Sequence, residues 1–181
     1  ISTPTKVSLP LGLNATAVSV GERHACAILS DSSVWCWGSN YHGQLGVGNS
    51  SNSGDWRFTP NAVTMPAGVS ATAIALGSTH TCMVVSDGRA FCWGEGTGGR
   101  LGHGSSSDEV LPAQVSGTAS YVSISAGLYH SCAITNLGKA QCWGVNWNGQ
   151  LGDSSSQWGG RSTPGDVDLP VGTSVTSIAS G

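Results

Sequence analysis

The sequence predicts an all-β repeat protein, and three observations carry that expectation. One pattern occurs three times, as GERHACAILSDSSVWCWGSNYHGQLG at 21–46, GSTHTCMVVSDGRAFCWGEGTGGRLG at 77–102 and GLYHSCAITNLGKAQCWGVNWNGQLG at 127–152. Each copy follows an alternating stretch: ATAVSVG, ATAIALG and YVSISAG. Glycines and β-branched residues interrupt every window in which a helix could run. Self-similarity at such a period marks a stacked or radial array, read before any local feature.

The elements follow in order. The approach stretch reads as a half-buried strand, with Val18, Ile74, Ile124 and Ile178 in one column pointing inward. Next comes a hairpin, as in HACAIL and VWCWG about a Ser/Asp break. Cys82 and Cys92 are symmetric about Asp87, so Val85 should face Arg89 across the loop Ser86-Asp87-Gly88. A three-residue hairpin loop ends in a left-handed residue, the place taken by Gly88 and Gly138. Ser32 stands there in the first copy, where its Cβ predicts strain. This register sets Cys26 against Cys36, Cys82 against Cys92 and Cys132 against Cys142 at non-hydrogen-bonded positions, where side chains lie closest. Past the Trp-Gly pair, a Gly-rich turn buries one leucine per copy, Leu45, Leu101 or Leu151. The copies then diverge over 47–58, 103–110 and 153–162 before a return marked by Pro60, Pro112 and Pro164, and variable loops on a constant scaffold are where specificity resides.

Ser2-Thr3-Pro4 recurs as Ser162-Thr163-Pro164 and Gly21 as Gly181, so 1–181 reads as one array: repeat cores 21–46, 77–102 and 127–152, and the start of a fourth repeat at 161–181. An opening on Ile rather than Met is expected of a processed product or of one segment of a longer polypeptide. The first residues, ISTPTKVSLP, lack the charged start and apolar centre of a leader.

The pattern G-x-x-H-x-C-A-x-x-x-x-G-x-x-x-C-W-G-x-N-x-x-G-Q-L-G resembles the repeats of the regulator of chromosome condensation family. The resemblance implies a β-propeller, usually of seven blades, so the fold class expected is all-β with propeller-type blades: three repeats plus the first strand of a fourth. That is an incomplete propeller unless part of a longer chain or an oligomer, since closure takes about 4–8 blades. Family members serve as exchange factors, inhibitors, adhesive modules and scaffolds. The wedge-like insertion on which exchange activity depends has no counterpart here. The second copy departs from the pattern at Gly96 and Arg100, which brings its turn into question. The paired cysteines resemble those of secreted or surface relatives.

Only 9% of residues are charged and the formal net charge is −3, without a basic run, so the footprint of a nucleic-acid binder is missing. No apolar run approaches the roughly 20 residues of a spanning helix. The facing cysteines read as three disulfides, hence an extracellular or cell-surface location. A rival reading makes His24, Cys26 and Cys36, with their equivalents His80, Cys82, Cys92 and His130, Cys132, Cys142, an open zinc site. Against it, the histidine column resembles one that relatives keep without cysteines, where a structural hydrogen bond suffices. Trp37, Trp93 and Trp143 are expected to pack within or between blades.

Tyr41, Trp56, Phe58, Trp147 and Trp158 lie in or beside the variable segments and are the candidates for protein or glycan contact. Residues 47–58 and 153–162 should line one exposed surface. Asn14 and Asn49 match the glycosylation acceptor pattern. Asp166 and Asp168 fall short of a calcium ligand set, and no phosphate-cradling loop occurs. The expectation is a non-enzymatic extracellular module with a structural or adhesive role, needing no cofactor or metal. Its partners would be another protein, a glycan or copies of itself. The alternatives are a secreted binding or inhibitory propeller working through its loops and, third, a metalloenzyme built on the His/Cys triplets.

Overall fold

The computed structural model describes residues 3–50, 56–155 and 159–181. Twelve strands form three antiparallel sheets of four, each in sequential order. The first blade holds Ala15–Val20 (β1), His24–Leu29 (β2), Val34–Ser39 (β3) and Trp56–Ala62 (β4). The second holds Ala71–Leu76 (β5), His80–Val85 (β6), Ala90–Gly94 (β7) and Glu109–Gln114 (β8). The third holds Tyr121–Ala126 (β9), His130–Thr135 (β10), Ala140–Gly144 (β11) and Arg161–Asp166 (β12). Among the described residues no helix is long and apolar enough to cross a membrane.

The hairpins have the register that the cysteines imply. Cys26 pairs with Cys36, Cys82 with Cys92 and Cys132 with Cys142, each at a Cα separation of 4.1 Å and each joined as a disulfide. Such spacing is that of a non-hydrogen-bonded pair. The Val85 amide donates to the Arg89 carbonyl at 3.0 Å, and Gly88 and Gly138 take φ of 84° and 74°. Ser32 adopts φ 64° in the same place, and the turn is braced by Asp31, whose Oδ1 accepts from the Ser33 amide and hydroxyl at 3.0 and 2.6 Å.

Two sequence boundaries are corrected. Trp56 and Phe58, read as part of an irregular segment, belong to the outer strand β4, because the return to the sheet begins before its proline. Pro60, Pro112 and Pro164 sit inside β4, β8 and β12, where the register against the third strand slips. An edge strand with a bulge tolerates a residue that cannot donate to the ladder. The stretch 161–181 also divides. Arg161–Asp166 completes the third blade, and only 171–181 runs on toward a fourth.

The apolar core lies between blades. One cluster joins Cys26, Ile28, Val34, Leu45 and Val63 of the first blade to Met83, Val85, Phe91 and Trp93 of the second. Another joins Cys82, Val84, Leu101 and Val115 to Tyr121, Ile124, Ala133 and Trp143. A smaller one sets Ile178 of the trailing segment against Cys132, Cys142, Leu151 and Val167. The first two disulfides are therefore covered by the blade that follows, and the third by the trailing segment. The column of Val18, Ile74, Ile124 and Ile178 faces the preceding blade: Ile124 is 7% exposed, whereas Val18, with no described blade before it, is 63% exposed and does not point inward.

Candidate interaction face

Strand direction sorts the connections onto two ends of the array. One end gathers residues 21–23, 39–50, 77–79, 95–108, 127–129 and 145–155, together with the starts of the outer strands. The described parts of 47–58 and 153–162 thus share an end, and most of the candidate aromatics sit there. The opposite end carries the hairpin loops and the crossings between blades.

Beneath that end the blades are locked by a recurring set of contacts. The Thr81 hydroxyl donates to the Gln44 carbonyl at 2.9 Å, so its oxygen is left to accept from His24 Nε2, also at 2.9 Å. The Trp93 indole N–H donates to the same Gln44 carbonyl at 2.9 Å. At the next junction Ser131 donates to the Arg100 carbonyl at 2.9 Å and meets His80 Nε2 at 2.9 Å, while Trp143 reaches that carbonyl at 3.0 Å. This wiring places the imidazole proton on Nε2 and leaves Nδ1 of His24 and His80 buried without a partner. Burial accordingly holds His24 down at about 4 and His80 at about 3, the latter helped by the nearby Arg100 charge. The rings pack over Gly21 and Gly77; a Cβ on Gly21 would come within 2.6 Å of His24 Cε1 and would strike the Gly77 carbonyl oxygen. The glycine column exists to admit that close approach. In each His/Cys triplet the sulfurs are bonded to each other, and at two of three junctions the imidazole is engaged, so the triplets do not form a zinc ligand set.

The loops above differ by blade. Asn40 and Asn146 each accept from a leucine amide, Leu45 at 3.2 Å and Leu151 at 2.9 Å, which closes the turn. Gly96 cannot do so, and a short 3-10 turn at Thr97–Gly99 replaces it. The space of the missing side chain is filled by the Ser107 backbone, and the Gly96 amide donates to Asp108 Oδ1 at 2.9 Å. Asp108 also meets His42 Nδ1 of the first blade at 2.9 Å, an ion pair between blades when His42 is protonated. Arg100, in the place of Gln44 and Gln150, is 2% exposed. Its guanidinium contacts Glu95 at 2.9 Å and the Thr79 hydroxyl at 3.2 Å, its Nε donates to the Thr97 carbonyl, and it lies 5.0 Å from the Tyr129 ring centroid.

Tyr129 in turn packs on Trp147, with centroids 5.8 Å apart. Trp147 is 56% exposed, and Leu128, next to Tyr129 in the chain, is exposed as well; Tyr41, on the first blade, is 50% exposed. The structure therefore brings together Trp147 and an unforeseen Tyr129, with a buried cation behind them. Trp56 and Phe58 stand apart on the outer strand, Phe58 89% exposed. Trp158 lies outside the described residues. Tyr129 had a signal in the sequence: the two residues between the column glycine and the column histidine vary (Glu22-Arg23, Ser78-Thr79, Leu128-Tyr129) while the columns that flank them repeat. Asn14 and Asn49 are exposed, though Asn49 Oδ1 accepts from Asn40. Asp166 is engaged by Lys139 and Gln141, which hold its carboxyl below the usual range.

Blades of this kind, edge to edge about a shared line of first strands, define an open segment of a β-propeller. The family model for the regulator of chromosome condensation (RCC1) repeat matches residues 31–84 and 87–134, and a second model of the same repeat matches 15–44, 71–100 and 121–150. The chain belongs to the RCC1-repeat family. It is 31% identical over 116 residues to the ultraviolet-B receptor UVR8 of Arabidopsis thaliana, covering 64% of this chain and 26% of that protein. Human WBSCR16 superposes with a TM-score of 0.86 at 24% identity, over 99% of this chain and 46% of that one. Saccharomyces cerevisiae Prp20p, described with its binding to Gsp1p and histones, gives 0.79 at 23% identity over 87% and 39%. The chain spans between 26% and 46% of the length of these proteins.

Proposed function

We propose that this chain is a non-enzymatic binding module of an extracellular or surface-displayed protein, and that it grips a protein partner with its loop end. The observation that carries this reading is the exposed Tyr129–Trp147 pair, braced from behind by Arg100. Rigid aromatics backed by an ordered cation lose little entropy on binding and supply much contact area. Tyr41, Trp56, Phe58 and Trp158 are further candidates for contact with a partner, and Asn14 and Asn49 are candidate acceptors of glycan. The location rests on the three disulfides. A structural or adhesive role in a surface assembly is the second reading, supported by the same three disulfides.

The test is capture of a saturable partner from the extracellular fraction of the source organism. Loss of that partner with Trp147→Ala and Tyr129→Ala, at unchanged thermal stability, is the expected result. Undiminished capture by both variants would overturn the assignment of this face.

A further inference from the structure

At the hairpin end, away from Tyr129 and Trp147, the junction between the second and third blades holds a cleft of about 520 Å³. One wall is the connection 116–121, and the other is built on the third blade by Gln141, Pro164 and Asp166. Tyr121 and Trp143 on this side belong to the core shared with the second blade, whereas Cys142 and Val167, the next residues after Gln141 and Asp166, pack on the other face with Ile178. The cleft thus lies on the enclosed side of the third blade, with both walls inside the chain. Its space has a cause in the sequence. Gln141 and Tyr121 stand where the first junction has Phe91 and Ala71, and there Phe91 is 5% exposed, with Met65 and Val69 packed against its cluster. The connection from Val63 to Ala71 takes eight steps (71 − 63), that from Val115 to Tyr121 only six (121 − 115), and the shorter one supplies Ser116, Gly117, Thr118 and Ala119 instead of large apolar residues. A cleft of this size falls among small-ligand sites, roughly 300–1,000 Å³.

Polar groups replace the apolar filling. The Tyr121 hydroxyl donates to Gln141 Oε1 at 2.8 Å, Gln141 Nε2 donates to Asp166 Oδ1 at 2.7 Å, and Lys139 Nζ donates to Asp166 Oδ2 at 3.2 Å. The carboxylate can only accept, so this relay has one direction and fixes how the amide and the phenol point. Burial and the Asp166 charge push Tyr121 up to about 12, which keeps its proton in place at neutral pH. Each member can still make a further hydrogen bond: the Tyr121 and Asp166 oxygens as acceptors, the Gln141 amide and the Lys139 ammonium as donors. The charges cancel within the set, and across the connection Asp87 and Arg89 are likewise paired with each other. A phosphate or an ammonium group would find no uncompensated partner here.

We propose that this cleft binds a neutral sugar residue of a glycan. Ring hydroxyls both donate and accept, so adjacent ones match a carboxylate and an amide held side by side in fixed orientation. Leu137 and Pro164, which also line the cleft, offer apolar surface to the C–H face of the ring. Because the relay is already ordered in the free protein, little freedom is lost when the sugar enters. The site uses none of the loop-end residues and stands independently of the protein-binding reading.

The test is to pass the 181-residue chain over an immobilised panel of neutral, sialylated and sulfated oligosaccharides, and then to titrate the retained saccharide in solution while following backbone amide shifts. Retention of neutral saccharides is expected, with shifts confined to 116–121, 135–141 and 164–166. Asp166→Asn should weaken binding about tenfold or more by removing the charged acceptor. Gln141→Phe, which places the residue of the first junction in the cleft, should abolish binding with little change in melting temperature. If that variant does not fold, the shift map of the unaltered chain and the Asp166→Asn titration decide. Retention of no neutral saccharide, retention of charged ones alone, shifts at the loop end, or binding that Asp166→Asn leaves unmoved would overturn the proposal. So would a polypeptide that shifts these amides where no saccharide does.

Discussion

Trp93 and Trp37 occupy the same column of the repeat and meet opposite fates. Trp93 is fully buried and donates to the first blade, while Trp37 lies on an open face, half-buried. Ile124 and Val18 differ in the same way, as do His80, wired to Ser131, and His130, whose ring meets no hydroxyl among the described residues. A residue's contribution in this array is set by the blade beside it rather than by its own hairpin. The enclosed junctions hold the stability.

The most direct way to break this contrast is to truncate the two indoles. Trp93→Ala should cost about 3–5 kcal/mol in a denaturant titration, since it empties a closed core and removes one of the two donors to the Gln44 carbonyl. Trp37→Ala should cost about 1 kcal/mol or less. Equal losses would mean that the hairpins, not the junctions, carry the fold.

Acid sharpens it next. The folded protein keeps His24 and His80 neutral far below the ordinary imidazole value, so nothing is gained or lost above about pH 6.5. As the pH falls from there toward 4, the unfolded chain takes up protons that the folded one refuses, and stability declines. For His24 alone the loss reaches about 3 kcal/mol at pH 4. Chemical denaturation across this range should show the decline, and His24→Gln should make it shallower, leaving the part due to His80.

Smaller effects separate the turns. Restoring the column residue with Gly96→Asn should destabilise by about 2 kcal/mol, because the Ser107 backbone already fills that space. Ser32→Gly should stabilise by about 0.5 kcal/mol, the relief of a left-handed Cβ being partly offset by a freer unfolded chain. Thermal melts of the pair would check both signs.

What the sequence determined by itself is everything that short-range pairing decides. Cysteines ten apart about Asp31, Asp87 and Leu137, a glycine where the loop turns left-handed in two of the three copies, and alternating apolar residues leave one workable hairpin, and its threefold recurrence specifies a repeat array. The proline returns and the outer strands were half legible, since a proline signals an edge without saying where the strand begins. Only the tertiary structure decided the junctions. His24, Gln44, Thr81 and Trp93 are spread over two repeats, and nothing local in any of them says that one backbone carbonyl collects two donors while a hydroxyl passes the hydrogen bond to an imidazole. The Tyr129–Trp147 patch depends in the same way on Arg100, a departure from the repeat whose role appears only when the third blade packs against the second. Periodicity records what each unit must do for itself, and contacts between units belong to the packing.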